Sequence, residues 1–199
     1  MYVARLAIEE AKILWNRRPI TEVLSGPDEL DSEVQEKLKL ILRVRTFAEQ
    51  ELGFEVGDSY SSLSRLREPP TLYVLTAAEQ KRLELYTWWF PVVGRVGYRG
   101  YFDRERVTEA EDRLVSQGYD TYVRTATAFS TLGWFADPVL PSLLSHGRIT
   151  LANVILHELF HSSMFFGDQT AFNESLANFA GHRGAIDFFE KENGLSSPE

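Results

Sequence analysis

The sequence contains no cysteine, which excludes disulfide bonds, thiolate metal ligands and a cysteine nucleophile. It has no apolar stretch long enough to span a bilayer, no basic run and no glycine-rich phosphate loop. A formal net charge of −8 argues against binding to nucleic acid or to an anionic membrane surface. The remaining composition, 44% hydrophobic over 199 residues, suits one globular domain with a proper core.

The first residues also lack the uninterrupted apolar region of a secretory signal. Arg5, Glu9, Glu10 and Lys12 interrupt it. A chain that begins in this way is expected to stay in the cytoplasm. No pattern in the sequence indicates an oligomeric state.

Histidine is scarce, with four residues in the chain, and two of them lie in His157-Glu158-Leu159-Phe160-His161. This is the H-E-x-x-H pattern of zinc hydrolases, which chance would produce in roughly one such chain in a hundred. Histidines four residues apart share one face of a helix and can bind one metal ion. Glu158 is then placed to act as general base on a water molecule. The alternative is a hydrogen-bonded polar network in the core.

The motif lies in a segment that reads as a helix over residues 151–166. Thr150 is a candidate N-cap, and Gly167 is placed to end the helix. Because apolar side chains fall on nearly every side, we expect the helix to be buried. A buried helix must satisfy its two imidazoles and its carboxylate, which a metal site would do.

A catalytic zinc ion usually has three protein ligands, so a further ligand is needed. Glu174 is the best candidate, since it follows in a second predicted helix after the short link of residues 167–169. One face of that helix has small residues, which would let the helices approach closely: Ala177, Asn178, Gly181 and Ala185. Next to it runs an apolar stripe: Phe172, Leu176, Phe179 and Ile186. The alternative for Glu174 is an ordinary first-turn acid that favours the helix dipole.

Other polar residues near the motif are weaker candidates. Asp168 and Asn178 could orient the ligand imidazoles, or could be capping or surface residues. His146 and His182, the remaining histidines, could stabilise an oxyanion or flank the site. Surface or capping roles are the alternative for both.

The rest of the chain predicts an α+β fold: N-terminal helices, a small mixed β-sheet, and a C-terminal pair of helices. Predicted helices cover residues 2–18, 29–52 and 103–117, and predicted strands cover 72–75, one or two segments of 83–96, and 121–127. Residues 60–70 read as a polar, serine-rich loop. We expect a single domain over residues 1–199, with a helical part (1–56), a sheet region (71–145) and the zinc-binding helices (146–192). An extended peptide could bind by adding to the edge of the 121–127 strand.

Several blocks of the sequence together resemble the bacterial putative aminopeptidase family, whose members are of gluzincin type. They are Trp89-Phe90-Pro91-Val92-Val93-Gly94, Tyr98-Arg99-Gly100-Tyr101-Phe102-Asp103, Gly118-Tyr119-Asp120-Thr121-Tyr122-Val123, Ser130-Thr131-Leu132-Gly133-Trp134-Phe135 with Asp137-Pro138, the H-E-x-x-H helix, and Phe172-Asn173-Glu174-Ser175. The resemblance implies zinc bound by His157, His161 and Glu174, with Glu158 as general base and a peptide substrate. It also implies the cell envelope or periplasm as the location of members that carry an export signal.

Two positions depart from the pattern of that family. Arg95 and Phe129 stand where we expect Cys and Tyr, and Phe129 cannot donate a hydrogen bond. The alternative function is therefore a catalytically weak or inactive module of the same fold that binds zinc and a peptide or partner. Four other tyrosines are candidate electrophiles, with packing of the sheet as the alternative: Tyr98, Tyr101, Tyr119 and Tyr122.

Overall fold

The computed structural model describes residues 14–27, 30–64, 71–82, 84–90, 94–126 and 137–194. Its helices are α1 (Ile20–Ser25), α2 (Ser32–Gln50), α3 (Arg104–Ser116), α4 (Arg148–Ser163) and α5 (Thr170–Asn193). Its strands are β1 (Arg17–Pro19), β2 (Ser62–Ser64), β3 (Leu72–Glu79), β4 (Trp88–Phe90), β5 (Gly94–Val96), β6 (Tyr98–Tyr101) and β7 (Tyr119–Ala126). This order confirms the α+β class and the C-terminal helix pair.

The described residues fall into two compact units. The sheet unit takes in those between 71 and 126, together with 166–170. The helical unit takes in those between 14 and 64, with 137–165 and 171–194. The single metallopeptidase domain over residues 1–199 stays a prediction.

The sheet unit is built on β3, which lies between β6 and β7. Both neighbours pair antiparallel to β3, so that Tyr73 lies opposite Tyr101 on one side and Thr125 on the other. The ladder is antiparallel, where the sequence predicted a mixed sheet. Helix α3 begins at the N-cap Asp103, whose carboxylate accepts the Glu105 N–H at 3.0 Å. Its apolar side packs on the sheet to form a small core: Leu75, Ala77, Tyr101, Val107 and Leu114.

The helical unit has the larger core, in which α2 packs against α4. Helix α2 begins at Asp31, whose carboxylate accepts the Glu33 N–H at 2.8 Å. Leu38 and Ile41 of α2 are fully buried in this core. From α4, fully buried side chains enter the same core: Leu151, Ile155, Leu156 and Leu159. Each such aliphatic side chain stabilises the fold by about 1.5–3 kcal/mol.

Helix α4 is buried, as predicted, but both of its predicted ends are wrong. Helix α4 begins at Arg148 after Gly147, so Thr150 lies within the first turn and does not cap it. It ends at Ser163, because Met164 takes extended backbone (φ −148°, ψ 119°), and Gly167 does not terminate it. Residues 164–169 then form an exposed, irregular link to α5.

Two other predictions need correction. Of the helix predicted over residues 2–18, residues 1–13 lie outside the described residues, and Arg17–Pro19 forms strand β1. The residue before a proline is pushed to extended backbone, which favours a strand at Arg18. In the loop predicted over residues 60–70, Ser62–Ser64 is the buried strand β2, which pairs with β1.

Helix α5 begins at Thr170 as predicted, and its small-residue face is largely buried, with Ala177 fully enclosed and Ala185 4% exposed. The apolar stripe beside it faces outward, since Phe172, Phe179 and Ile186 are 49%, 69% and 50% exposed. Among the described residues, no helix is both long and apolar enough to cross a membrane.

Candidate metal centre

Two helices of the helical unit bring three ligand-type side chains together. His157 and His161 lie one turn apart on α4, with their Nε2 atoms 3.2 Å apart and their rings close to perpendicular at 82°. The spacing of four residues in a helix brings both rings to one face. This face is turned toward the first turns of α5.

Helix α5 supplies the third side chain, Glu174. Its Oε2 atom lies 3.5 Å from the His157 Nε2, and its Oε1 atom lies 3.7 Å from the His161 Nε2. Ligand atoms of the three residues all lie within 4.8 Å of one another. Tetrahedral zinc with ligands at 2.0–2.2 Å holds its donor atoms about 3.3–3.6 Å apart. The spacing of His157, His161 and Glu174 therefore fits the coordination shell of a metal ion, and these residues could hold one.

Gly181 is what lets α5 come this close to α4. A Cβ atom at Gly181 would lie 2.6 Å from the Asn153 Oδ1 atom, 2.8 Å from the Asn153 carbonyl oxygen and 3.1 Å from the His157 Cβ. Only a residue without a side chain fits against that carbonyl. The close approach predicted from the small face of α5 is confirmed.

The three side chains differ in exposure. The side chain of His161 is 4% exposed and that of His157 is 17% exposed, whereas that of Glu174 is 42% exposed. The cluster is therefore closed on the α4 side and open to solvent near the carboxylate. A catalytic metal keeps one open coordination position, and the exposed side is where a water molecule could reach it.

The electrostatic environment separates the two imidazoles. Burial lowers the pKa of His157, but a hydrogen bond with Glu174 and the charges of Glu158 and Glu174 outweigh it, so the pKa is raised. For His161, burial dominates and the pKa is lowered, with the Glu174 charge opposing and His157 reinforcing the shift. A neutral His161 keeps a lone pair on one ring nitrogen, as metal binding requires.

Asn178 is the predicted orienting residue that lies near His157. The interaction with its side chain is the smallest of the causes that raise the pKa of His157, and metal-binding histidines usually have such a partner. Asp168 has a different partner, because its Oδ1 atom accepts the backbone N–H of Arg95 at 2.8 Å. The Nδ1 atom of His161 is buried and has no hydrogen-bond partner in the described part of the chain.

Glu158 lies on α4 directly after His157 and is partly buried. It is outside the group of three possible ligands, and its charge raises the pKa of His157. A carboxylate beside a metal site that does not take part in the ligand cluster is what the general-base hypothesis requires.

The remaining candidates have other positions. The Nδ1 atom of His182 lies 2.7 Å from the Asn178 carbonyl oxygen on its own helix. His146 caps the end of a short 3₁₀ helix (Leu143–Ser145), and its Nε2 atom is buried with no hydrogen-bond partner in the described residues. Phe129 lies outside the described residues.

Tyr60 is a residue that sequence reasoning missed. It stands in a segment that reads as a polar loop, yet it is 2% exposed, and burial, followed by the charge of Glu158, raises its pKa. No local sequence signal distinguishes it from the other tyrosines. Its position depends on tertiary contacts of the loop between α2 and β2.

A helix pair that gathers two imidazoles and one carboxylate around one point has the arrangement of a metalloprotein site. A family model described as "Putative aminopeptidase" matches residues 1–198, and the chain belongs to that family. Comparison with curated proteins and with solved structures gave no significant match.

Proposed function

We propose that this protein is a zinc-dependent peptidase of gluzincin type, and specifically an aminopeptidase. The observation that carries the proposal is the His157, His161 and Glu174 cluster on two packed helices, with Glu158 next to the first histidine. Two imidazoles and one glutamate form the His₂Glu ligand set of some zinc peptidases. The family to which the chain belongs supports the aminopeptidase assignment.

In this proposal the three ligands hold the metal and leave the side near the exposed Glu174 for water and substrate. Zinc, when bound, polarises a carbonyl oxygen and lowers the pKa of a water molecule to about 7. Glu158 accepts a proton from the attacking water and delivers it to the leaving amine nitrogen. The peptide C–N bond breaks, one water molecule is consumed, and no covalent enzyme intermediate forms.

Zinc suits the donor set better than the harder divalent ions do. Magnesium and calcium prefer shells of oxygen ligands, whereas imidazole nitrogen suits zinc and other transition metals. The chain offers no thiolate, so competition from soft cations such as Cu(I) is weak.

The test combines metal analysis with a peptide library. Protein purified without added metal should contain about one zinc ion per chain, as the three-ligand site requires. The library holds matched peptides with free and with blocked N-termini. An aminopeptidase cleaves only the free set, releasing single N-terminal residues that mass spectrometry detects.

Two variants serve as controls for that experiment. Glu158→Gln should keep the zinc and lose hydrolysis, because the amide cannot accept the proton. Glu190→Gln changes an exposed glutamate of α5 and should leave both unchanged. If peptides with blocked N-termini were cleaved as fast as those with free N-termini, the aminopeptidase assignment would be wrong, but the peptidase assignment would stand. Zinc binding without any cleavage would favour the peptide-binding module, and a protein that binds no divalent metal would refute both.

A further inference from the structure

Tyr60 has a backbone conformation that side-chain-bearing residues rarely adopt. Its φ angle is +57°, in the left-handed region. Such a residue persists only where its surroundings hold it, and these outliers concentrate at functional sites. Here the Tyr60 N–H donates to the Asp137 carbonyl oxygen at 2.6 Å. Arg45 braces the same loop by donating to the carbonyl oxygens of Ser59 and Gly57, at 2.5 and 2.6 Å.

The hydroxyl of Tyr60 is buried without a partner. The residue is 2% exposed, and its Oη atom has no hydrogen-bond partner in the described residues. Buried hydroxyl groups are nearly always hydrogen-bonded, because leaving one unpaired forfeits its interaction with water. The fold therefore maintains both a strained backbone and an unpaired donor at one residue.

The loop that carries Tyr60 is fastened to the helix that carries Glu158. The Glu55 N–H donates to the Ser163 Oγ atom at the end of α4, at 2.7 Å. Phe54 packs edge-to-face on Phe160, with ring centroids 5.7 Å apart. Tyr60 also belongs to the same buried cluster as the α4 leucines on either side of Glu158. These contacts pack the loop that carries Tyr60 against the helix that carries the proposed general base.

The electrostatic environment of the Tyr60 hydroxyl also relates this residue to Glu158. Burial, then the Glu158 carboxylate, then the Asp137 carboxylate raise the pKa of Tyr60 well above its usual range. The phenol is therefore a protonated hydrogen-bond donor at every physiological pH. Of the two carboxylates, Glu158 acts on it more strongly.

We propose that Tyr60 is a positioning residue for Glu158, whose carboxylate accepts a hydrogen bond from the Tyr60 hydroxyl when the metal is bound. A carboxylate has lone pairs on both oxygens, so one oxygen can receive this bond while the other faces the attacking water. The bond would fix the direction of the base without making Tyr60 a reacting group. The proposal rests on the proposed function for its catalytic consequence, but the contact itself can be tested without any substrate.

The test is a double-mutant cycle on the zinc-loaded full chain. The four proteins are the wild type, Tyr60→Phe, Glu158→Leu and the double variant, and elemental analysis confirms equal zinc content. Tyr60→Phe keeps the ring, and Glu158→Leu removes the acceptor at similar volume. We expect Tyr60→Phe to lower Tm by about 4 °C in the presence of Glu158, as loss of a charge-assisted hydrogen bond implies. In the Glu158→Leu variant, the Tyr60 hydroxyl is a buried group without its acceptor. Adding Tyr60→Phe to that variant should therefore leave Tm unchanged or raise Tm.

Two comparisons make the cycle specific. Tyr101→Phe, at a buried tyrosine of the sheet unit, should shift Tm equally with either residue at position 158. A cycle of Tyr60→Phe with Asp137→Asn should be additive. The proposal would be overturned if the Tm changes of Tyr60→Phe and Glu158→Leu were additive. It would also be overturned if Tyr60→Phe were coupled to Asp137→Asn instead of to Glu158→Leu.

Hydrolysis provides the catalytic readout. With a peptide that the wild type cleaves, Tyr60→Phe should lower kcat about tenfold and leave KM unchanged, since a misdirected base affects the proton transfer and not substrate binding. An unchanged kcat would refute the positioning role. If the wild type cleaves no peptide, the proposed peptidase function fails, while the Tm cycle still decides whether Tyr60 bonds to Glu158.

Discussion

His157, His161 and Glu174 reach one point from two helices, but they contribute in different ways. The imidazoles are fixed by burial in α4, whereas the carboxylate is 42% exposed and adds the negative charge. A metal dication held by the histidines alone would lack charge compensation, because both imidazoles bind in the neutral form. If the cluster binds a metal, we therefore expect Glu174 to contribute more to affinity than its share of the ligand atoms.

We expect Glu174→Ala to weaken zinc binding by more than about 100-fold, since even loss of a residue that only orients a ligand costs 10–100-fold. A competition titration against a zinc-chelating dye measures the change. Glu190→Ala, at an exposed position on the same helix, is the matched control and should retain wild-type affinity. Wild-type affinity in Glu174→Ala would mean that this carboxylate is not a ligand.

Asn178 offers a second test at single-residue level. Its side chain is among the groups that raise the pKa of His157; if it orients that ring, Asn178→Ala should weaken zinc binding about tenfold. Ser175→Ala removes a hydroxyl that bonds only within α5, to the Ala171 carbonyl oxygen at 2.7 Å, and should leave zinc binding unchanged. The same dye titration compares the two. Equal affinities would show that Asn178 does not orient the ligand.

At the level of secondary-structure elements, the approach of α5 to α4 depends on one glycine. Gly181 faces the backbone carbonyl of Asn153, which cannot move without the helix, whereas the nearest atoms to a Cβ at Gly184 would be side-chain methyl groups of Leu156 and Leu52, each at 3.1 Å. Leucine side chains can adjust by a few tenths of an ångström. The two glycines are therefore a matched pair with opposite expectations.

We expect Gly181→Ala to destabilise the protein by about 1–3 kcal/mol through overpacking, and to weaken zinc binding as Glu174 is pushed away from the histidines. Gly184→Ala should be neutral or stabilising, because alanine favours the helix by about 1 kcal/mol over glycine. Urea unfolding and zinc titration of both variants measure these effects. If both variants behave alike, the Gly181 contact does not set the helix separation.

The elements also show what a sequence can and cannot predict. The small face of α5 follows from spacing alone, because alanine and glycine at helical intervals leave room for a neighbour. The end of α4 at Ser163 does not follow from the local sequence; there the Ser163 hydroxyl accepts the Glu55 N–H at 2.7 Å, from a residue 108 positions away. The outward position of Phe172 and Phe179 is equally non-local, since the buried side of α5 is decided by its partner helix.

For the whole molecule, composition and element order were enough for the α+β class, and the motif blocks were enough for the family. The pairing of β1 with β2 was not predictable, because Arg17–Pro19 meets Ser62–Ser64 across a long stretch of chain without any local signal. The role inferred for Tyr60 has the same origin. Local sequence patterns are enough to predict the candidate ligands. The residues that would support those ligands are brought near them by tertiary contacts, which the local sequence does not show.

Metal removal should affect the molecule unevenly, because all three proposed ligands belong to the helical unit. A ligand at 1,000 times its Kd stabilises the folded state by about 4 kcal/mol. We therefore expect chelation to lower the Tm of that unit by about 10 °C and added zinc to restore it. Scanning calorimetry measures the shift, and Glu174→Ala should show a much smaller response. An unchanged wild-type Tm would argue against tight binding of a structural or catalytic metal.

The early end of α4 has a consequence for proteolysis. Residues 164–169 are exposed and irregular and include Phe165 and Phe166, the type of segment that proteases nick first. A cut there would leave His157 and His161 on one fragment and Glu174 on the other. The three candidate ligands would then lie on two polypeptides, held together by any bound metal and by the packing of α5 in the helical core, which includes Ala185, Phe188 and Phe189. Comparing chymotrypsin-treated protein with and without added zinc would therefore test, without a substrate, whether the metal holds the two fragments together.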